Sequence, residues 1–310
     1  MVLVAFRSFS VFWTQLLVLV LLIPAFLVGY EFSICAIFQN EAPYLREWIE
    51  FHKLQGCQHF YLYNNRSTDN FFQVLLPYLY AKEVTLIDWP YTFKPGDHDG
   101  WLAVQCGAYK HCIGNYGRDN VWVGLFDIDE FLFCPDGQKL PIFLRQYLSY
   151  GAVCAHWRVF GTSGVEEIPQ NKCLIEVLTK CNLPGDAINC FFKSIVRPPH
   201  VANIDTAHMG ILKNGFFTVN ADGETMAELW NTNHTPKYDK ICINHYFSRT
   251  KKFFRERKKP SEEKRNRSGE VQDIEAYNQC EDTKILQFVP ALRERLGYSF
   301  SQKFSQNSTK

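Results

Sequence analysis

Residues 121–131 read Val-Trp-Val-Gly-Leu-Phe-Asp-Ile-Asp-Glu-Phe, an apolar run that stops abruptly on acid. A short continuous apolar stretch is typical of a strand covered on both faces. The reading makes 121–129 an extended segment. Residues two apart then point the same way, so Asp127 and Asp129 share one side. Two adjacent carboxylates repel unless something positive lies between them. Oxygen donors suit a hard divalent cation, Mn²⁺ or Mg²⁺, and a diphosphate would supply further oxygens. An isolated D-x-D is a weak signal, with a solvated turn as the alternative. The strand in front of this one is what sharpens it.

The chain upstream sets that strand in a series. Residues 34–39 form an apolar run, and Leu45, Trp48, Ile49 and His52 recur at helical spacing within 41–56, which Gly56 closes. Strands follow at 59–63 and 83–89, with helices at 69–81 and 101–114. Four strands alternate with three helices, the pattern of a parallel sheet with right-handed crossovers. The first half is therefore α/β and Rossmann-like. Such sheets bind ligands beyond the carboxyl ends of their strands. Asn40 and Glu41, Asn64 and Asn65, Asp88, and Asp127 with Asp129 all fall at those ends.

Downstream the pattern is less regular. Strands are expected at 151–160, 189–198 and 243–247, short strands and turns through 203–223, and a last helix at 285–296. No repeat or low-complexity linker interrupts residues 31–310, which read as one domain after an N-terminal segment, 1–30.

Composition agrees with a folded chain. Of 310 residues, 46% are hydrophobic, 21% charged and 15% aromatic. A net charge of +1 argues against a dedicated nucleic-acid binder. Charge is uneven, however: residues 249–267 hold ten Lys or Arg against three Glu. Eleven cysteines without a C-x-x-C pair make a zinc site a poor fit. Cys173, Cys181 and Cys190 lie close enough in sequence to include a disulfide in an oxidising compartment, and otherwise read as buried small hydrophobes. N-x-S/T sequons start at Asn65, Asn233, Asn266 and Asn307.

Residues 11–29 carry no charge, and nineteen helical residues span about 28 Å, close to a hydrocarbon core of about 30 Å. Arg7 before the run and Glu31 after it favour a cytoplasmic N-terminus. An uncleaved single-pass anchor is the expectation, since no small-residue cleavage site is evident. The domain would then sit hard against the bilayer. It would face a Golgi-type lumen in a eukaryote, or lie at the cell membrane in a bacterium.

A longer set of motifs points to a family. It runs through Asn40-Glu41, Tyr44-Leu45, Glu47-Trp48, His52, His59-Phe60-Tyr61, Tyr63-Asn64-Asn65, Ser67 and Asp69. It continues through Pro77-Tyr78, Trp89-Pro90, Gln105, His111-Cys112, Asp127-x-Asp129-Glu130-Phe131, Trp157-x-x-Phe160-Gly161-x-Ser163-Gly164 and Asn244-His245-Tyr246. Over about residues 33–260 the chain resembles glycosyltransferase family 92, formerly domain of unknown function 23. The resemblance implies a GT-A fold, a Rossmann-like nucleotide-sugar half joined to a mixed-sheet acceptor half. It also implies type II membrane topology in eukaryotic members, Mn²⁺ dependence, and inverting transfer of a hexose, often galactose from UDP-galactose, to a glycan or glycoconjugate.

Carried onto this sequence, the resemblance makes Asp127 and Asp129 metal ligands and adds His245, with His208 as a second histidine to weigh. Asn40, Glu41, Asn64, Asn65, Asp69, Asp88 and Gln105 become candidates for the nucleotide. A cation among Lys251, Lys252 and Arg255 would brace the diphosphate, although most of that run reads as a solvated helix face. Inversion needs a carboxylate base for the acceptor hydroxyl. Glu166, Glu167 and Asp205 are the candidates, with Asp186 and Asp222 as competitors. Val165 stands where the family often has His. Trp157 and Phe160 suit either an acceptor sugar or the core.

Two other classes compete. A nucleotidyltransferase would bring a Gly-rich basic loop after the first strand, and residues 38–45, Phe-Gln-Asn-Glu-Ala-Pro-Tyr-Leu, contain none. A non-catalytic sugar-binding module would tolerate loss of a metal carboxylate, and both are present.

Overall fold

The computed structural model of the chain describes residues 29–94, 100–226, 235–264 and 274–298. The expected span at 11–29 falls outside them but for Gly29, as do the sequons at Asn233, Asn266 and Asn307. Among the described residues no helix is long and apolar enough to cross a membrane.

The first half follows the strand–helix series. Strand β1 (Tyr30–Phe38) leads to α1 (Ala42–Leu54), β2 (His59–Asn64), α2 (Phe71–Tyr80), β3 (Val84–Asp88), α3 (Gly100–Tyr116) and β4 (Asn120–Leu125). All four strands run parallel, in the order β3-β2-β1-β4. The strands alternate between two cores. Phe32, Ile34, Ala36, Phe60 and Leu62 pack with Leu45, Trp48 and Ile49 of α1. Cys35, Ile37, Tyr61 and Tyr63 pack with Val104, Tyr109 and Cys112 of α3. A side-chain period of two, apolar at both phases, is what a sheet covered on both faces requires.

One expectation fails at the decisive stretch. The strand does not run to Asp129; it ends at Leu125. Residues 127–130 make a turn in which the Glu130 N–H donates to the Asp127 carbonyl at 3.2 Å. The Glu130 carboxylate in turn accepts the Asp127 N–H at 2.9 Å. These two reciprocal bonds outcompete continued extension, and the convergence argued from a strand does not apply there.

The second half adds β5 (Glu130–Phe133), β6 (Ala152–Val159), β7 (Lys180–Cys181), β8 (Phe192–Val196), β9 (Val201–Ile204), β10 (Gly210–Leu212), β11 (Thr218–Val219), β12 (Cys242–His245) and β13 (Cys280–Glu281). The main sheet continues β4-β8-β6-β12-β5, with β11 on β6. β8 is antiparallel to both β4 and β6, and β12 is antiparallel to β5 but parallel to β6. The sheet is therefore mixed α/β. The expected strands at 151–160, 189–198 and 243–247 are shorter than their apolar runs, and residues 187–190 are 3₁₀. The last helix is α-helical only from Val289 to Leu296.

α1 joins the two halves through polar contacts in the core. Trp48 Nε1 donates to the Glu130 carbonyl at 2.8 Å. His52 donates from Nδ1 to the Trp48 carbonyl at 2.9 Å, and its Nε2 accepts the Leu132 N–H at 3.2 Å. The ring is fully buried, and burial pushes its pKa down to about 3. His52 thus stays neutral in the fold and binds a proton when unfolded. Between about pH 3 and pH 6.5 the unfolded chain binds more protons, so this residue makes stability fall as pH drops through that window. Replacing His52 with Ala leaves the Leu132 N–H unpaired and a cavity beside it. Urea unfolding at pH 7.5 is expected to show a loss of about 3 kcal/mol, and the stability of the variant between pH 5 and 6.5 to depend less on pH.

Candidate functional site

Register brings the acidic turn against the end of β12. β12 pairs with β5 so that His245 lies opposite Glu130. The Tyr246 N–H donates to the Asp129 carbonyl at 2.8 Å, which locks the turn to the strand beyond it. His245 Nε2 then stands 3.5 Å from Asp129 Oδ1. On the other side of the carboxylate, Lys258 Nζ is 3.6 Å from Oδ2 and lies over the Phe247 ring at 3.9 Å. Burial alone would raise the Asp129 carboxyl. Lys258 and His245 outweigh it, Arg249 adds to them, and the group is held well below the usual carboxylate range.

Lys258 arrives there on an irregular helix. Lys251–Phe253 is α-helical, Phe254–Lys258 is a π turn, and Lys259–Lys264 is α-helical again. Such turns recur at functional sites. The neighbouring cations face elsewhere: Lys251 pairs with Glu275, Lys252 with Glu167 and Arg255 with Glu166. Arg257 donates to the Asn40 carbonyl at 3.1 Å.

Asp127 has a different environment. Its Oδ1 accepts from Gln105 Nε2 of α3 at 2.6 Å, and its Oδ2 from Lys193 Nζ of β8 at 2.8 Å. The antiparallel pairing of Gly124 with Ile195 carries Lys193 to the level of the residues just beyond β4. Lys193 and Glu130 are both 0% exposed and 3.6 Å apart. Burial would lower the Lys193 ammonium, but Asp127 and Glu130 outweigh it and raise it. Burial pushes the Glu130 carboxyl up, and the Lys193 ammonium works against that shift.

Rings close a third side. Trp157 of β6 stands 4.2 Å, centroid to centroid, from His245 and 5.1 Å from His208. Phe191 stacks on Trp157 at 5.4 Å. His208 Nδ1 donates to the Phe192 carbonyl at 2.9 Å, and burial pushes the ring down to about 3, so Nε2 is a neutral acceptor. Phe160, by contrast, is wholly in the core against Tyr246.

The predicted nucleotide residues lie at the strand ends and largely bond one another. Asn40 Oδ1 accepts the Thr68 and Asp69 N–H groups at 2.7 and 3.2 Å. Asp69 Oδ2 accepts the Ala42 N–H at 2.9 Å, capping α1 from another loop. Asn64 Nδ2 reaches Asp88 at 3.3 Å. Asn65 is buried and donates to the Trp89 and Tyr91 carbonyls, which removes its amide from any sequon chemistry. Glu41 ion-pairs with the buried Arg249 at 2.6 Å, whose guanidinium stacks on Tyr44 at 3.8 Å. Arg249 takes a left-handed backbone, φ 49°, to reach it.

The predicted bases do not join this group. Glu166 and Glu167 are exposed in their ion pairs with Arg255 and Lys252, and Asp205 is exposed at the end of β9. Asp222 pairs with Lys237 and Lys240. A separate cleft of about 720 Å³, bordered by Arg46, Glu47, Tyr78 and Tyr298, contains none of the side chains gathered around Asp129.

Lys193, Arg249 and Lys258 escaped the sequence reading. Lys193 did leave a signal, a lone cation inside the apolar strand Phe-Phe-Lys-Ser-Ile-Val. Lys258 left none, being one of ten similar cations.

The cluster of acid, imidazole and ammonium lies beyond the carboxyl ends of the parallel strands, where α/β sheets commonly bind ligands. Comparison with known proteins places the chain more narrowly. Residues 29–280 match the family described as Glycosyltransferase family 92, and the chain belongs to that family. A family 92 protein of Oryza sativa subsp. japonica is 31% identical over 62% of this chain and 31% of its own length. One from Ricinus communis is 28% identical over 62% of this chain and 34% of its own. The chain spans about a third of the length of these curated relatives. A galactan β-1,4-galactosyltransferase of Arabidopsis thaliana is 30% identical over 34% of this chain and 21% of its own length. Among solved structures, S. aureus TarS in complex with UDP-GlcNAc is 13% identical over 64% of this chain and 60% of that one, with a TM-score of 0.36. Likenesses that loose carry no argument about donor or metal.

The pairing of Lys193 with Asp127 can be tested directly. Lys193→Met removes the ammonium from beside Asp127 and the enclosed Glu130, and urea unfolding is expected to show a loss of about 2–3 kcal/mol. Adding Asp127→Asn should return part of that loss, since the two changes act on one interaction.

Proposed function

We propose that the chain is a GT-A glycosyltransferase that moves a hexose from a nucleoside-diphosphate donor, UDP-galactose foremost, to a glycan or glycoconjugate hydroxyl. Anchorage by residues 11–29 belongs to the same reading. One observation carries it: Asp129, His245 and Lys258 converge at the carboxyl edge of the sheet.

A divalent cation fits part of this group. Two donors about 2.1 Å from one cation stand about 3.0–3.5 Å apart at ordinary ligand angles, and Asp129 Oδ1 and His245 Nε2 are 3.5 Å apart. Both Asp127 oxygens already have partners, and among the described residues no three His, Cys, Asp or Glu side chains gather as a metal cluster. The protein would therefore contribute Asp129 and His245, and leave the remaining positions to diphosphate and water. A Mn²⁺ or Mg²⁺ there supplies charge neutralisation to the departing diphosphate.

The chain's own groups account for the rest. Lys258 adds a fixed positive charge where the β-phosphate leaves. Lys193 and Gln105 hold the Asp127 carboxylate in one orientation, one on each oxygen. Trp157, flanked by His208 and Phe191, forms an apolar wall against which a sugar ring can lie. Inversion requires a carboxylate to take the acceptor proton. Glu166, Glu167 and Asp205 reach that role only if donor binding rearranges their exposed side chains.

Release of UDP from UDP-galactose with Mn²⁺ tests the reading. Asp129→Ala is expected to cut kcat/KM at least about 10³-fold and Lys258→Ala about 10²-fold, while Lys251→Ala stays within about twofold because that cation faces Glu275. Turnover that survives Asp129→Ala would refute the proposal.

A further inference from the structure

β7 and β13 pair antiparallel with Cys181 directly opposite Cys280. Either kind of antiparallel pair sets Cα atoms about 4.5–5.5 Å apart, inside the range a disulfide spans. The two Sγ atoms are 3.5 Å apart. Cys280 Sγ also accepts from Arg158 Nη2 at 3.0 Å and donates to the Asn182 carbonyl at 3.0 Å, contacts that hold it beside Cys181. The expected partners Cys173 and Cys190 are not the ones that meet Cys181. Cys35 and Cys112 also touch, but both are sealed in the core beside α3, where no outside reagent reaches them. Cys280 is only half-buried.

We propose that Cys181 and Cys280 are a disulfide site, closed when the chain is held in an oxidising compartment. The oxidant is a small-molecule or protein disulfide. The sulfur of Cys280, the less buried of the two residues, attacks as thiolate one sulfur of glutathione disulfide and expels one glutathione thiolate. Cys181 then loses its proton to solvent, attacks the Cys280 sulfur and expels the second. Two protein thiols are oxidised and one disulfide is reduced to two thiols. The order follows from access: Cys181 is buried, and burial pushes its thiol up to about 12, so it is the poorer first nucleophile.

The bond would act on the site from behind. Asn278, two residues before Cys280, accepts the Ser163 N–H at 2.8 Å. A Cβ on Gly161 would lie 2.3 Å from Asn278 Oδ1, so the two chains are in tight contact. Linking 181 to 280 fixes that contact and closes a loop that carries Lys193, His245 and Lys258.

The test uses the purified chain, equilibrated with glutathione disulfide and separately with dithiothreitol. After acid quench and alkylation, non-reducing peptide mapping is expected to show one linked pair, the peptides of Cys181 and Cys280, lighter by two hydrogens. The midpoint of thermal unfolding should rise by about 5–10 °C relative to the reduced chain. Cys190→Ser should keep both effects; Cys181→Ser and Cys280→Ser should lose both. Free thiols at both positions after equilibration, glutathione left as a mixed disulfide on Cys280, or linkage of either residue to another cysteine would overturn the proposal. The wild-type map decides the matter even if a serine variant fails to fold.

Discussion

A single enclosed ammonium organises the centre of this molecule. Lys193 is completely buried, and its charge is balanced by Asp127 at 2.8 Å with Glu130 beside it. An uncompensated charge at that depth would cost several kcal/mol. The pairing therefore dictates where the loop after β4 lies. Glu130 closes the acidic turn through the Asp127 N–H, and its own carbonyl receives Trp48 of α1. Strand, turn and helix thus meet at one cation contributed by β8, an element of the second half.

The mixed topology makes sense in this light. A purely parallel continuation beyond β4 would present more carboxyl ends and no strand running back toward the edge. The antiparallel β8 brings a side chain from deep in the second half to the first half's edge, and β12 presents His245 and Tyr246 beside the turn. The site is a seam between two chain segments, each supplying charge of the opposite sign. Hydrogen bonds among Asn40, Asp69 and the α1 terminus stiffen the floor on the first-half side.

Legibility followed locality. The four parallel strands and three helices of the first half were readable because each is marked by its own periodicity. Asp129 and His245 stood out because each sits in a compact motif, and the structure brings the two side chains to 3.5 Å. The acidic turn reads as extended in sequence because Ile128 restores an alternating pattern; only the reciprocal Asp127–Glu130 bonds reveal the bend. Lys193 and Arg249 depend on contacts across 66 and 208 positions, from Asp127 and Glu41 respectively, and a linear pattern carries no trace of such partners. Lys258 was hidden by its company, since only backbone geometry distinguishes it from the cations beside it.

The π turn at Phe254–Lys258 has a consequence for how the family can vary. Each residue of an α-helix advances the chain by about 100° of rotation, so a wide turn absorbs one surplus residue without twisting the helix beyond it. The segment can therefore gain or shed a single position while its start stays capped by Thr250 and its far end keeps its bearing. Changes in length there re-aim only the side chains inside the turn.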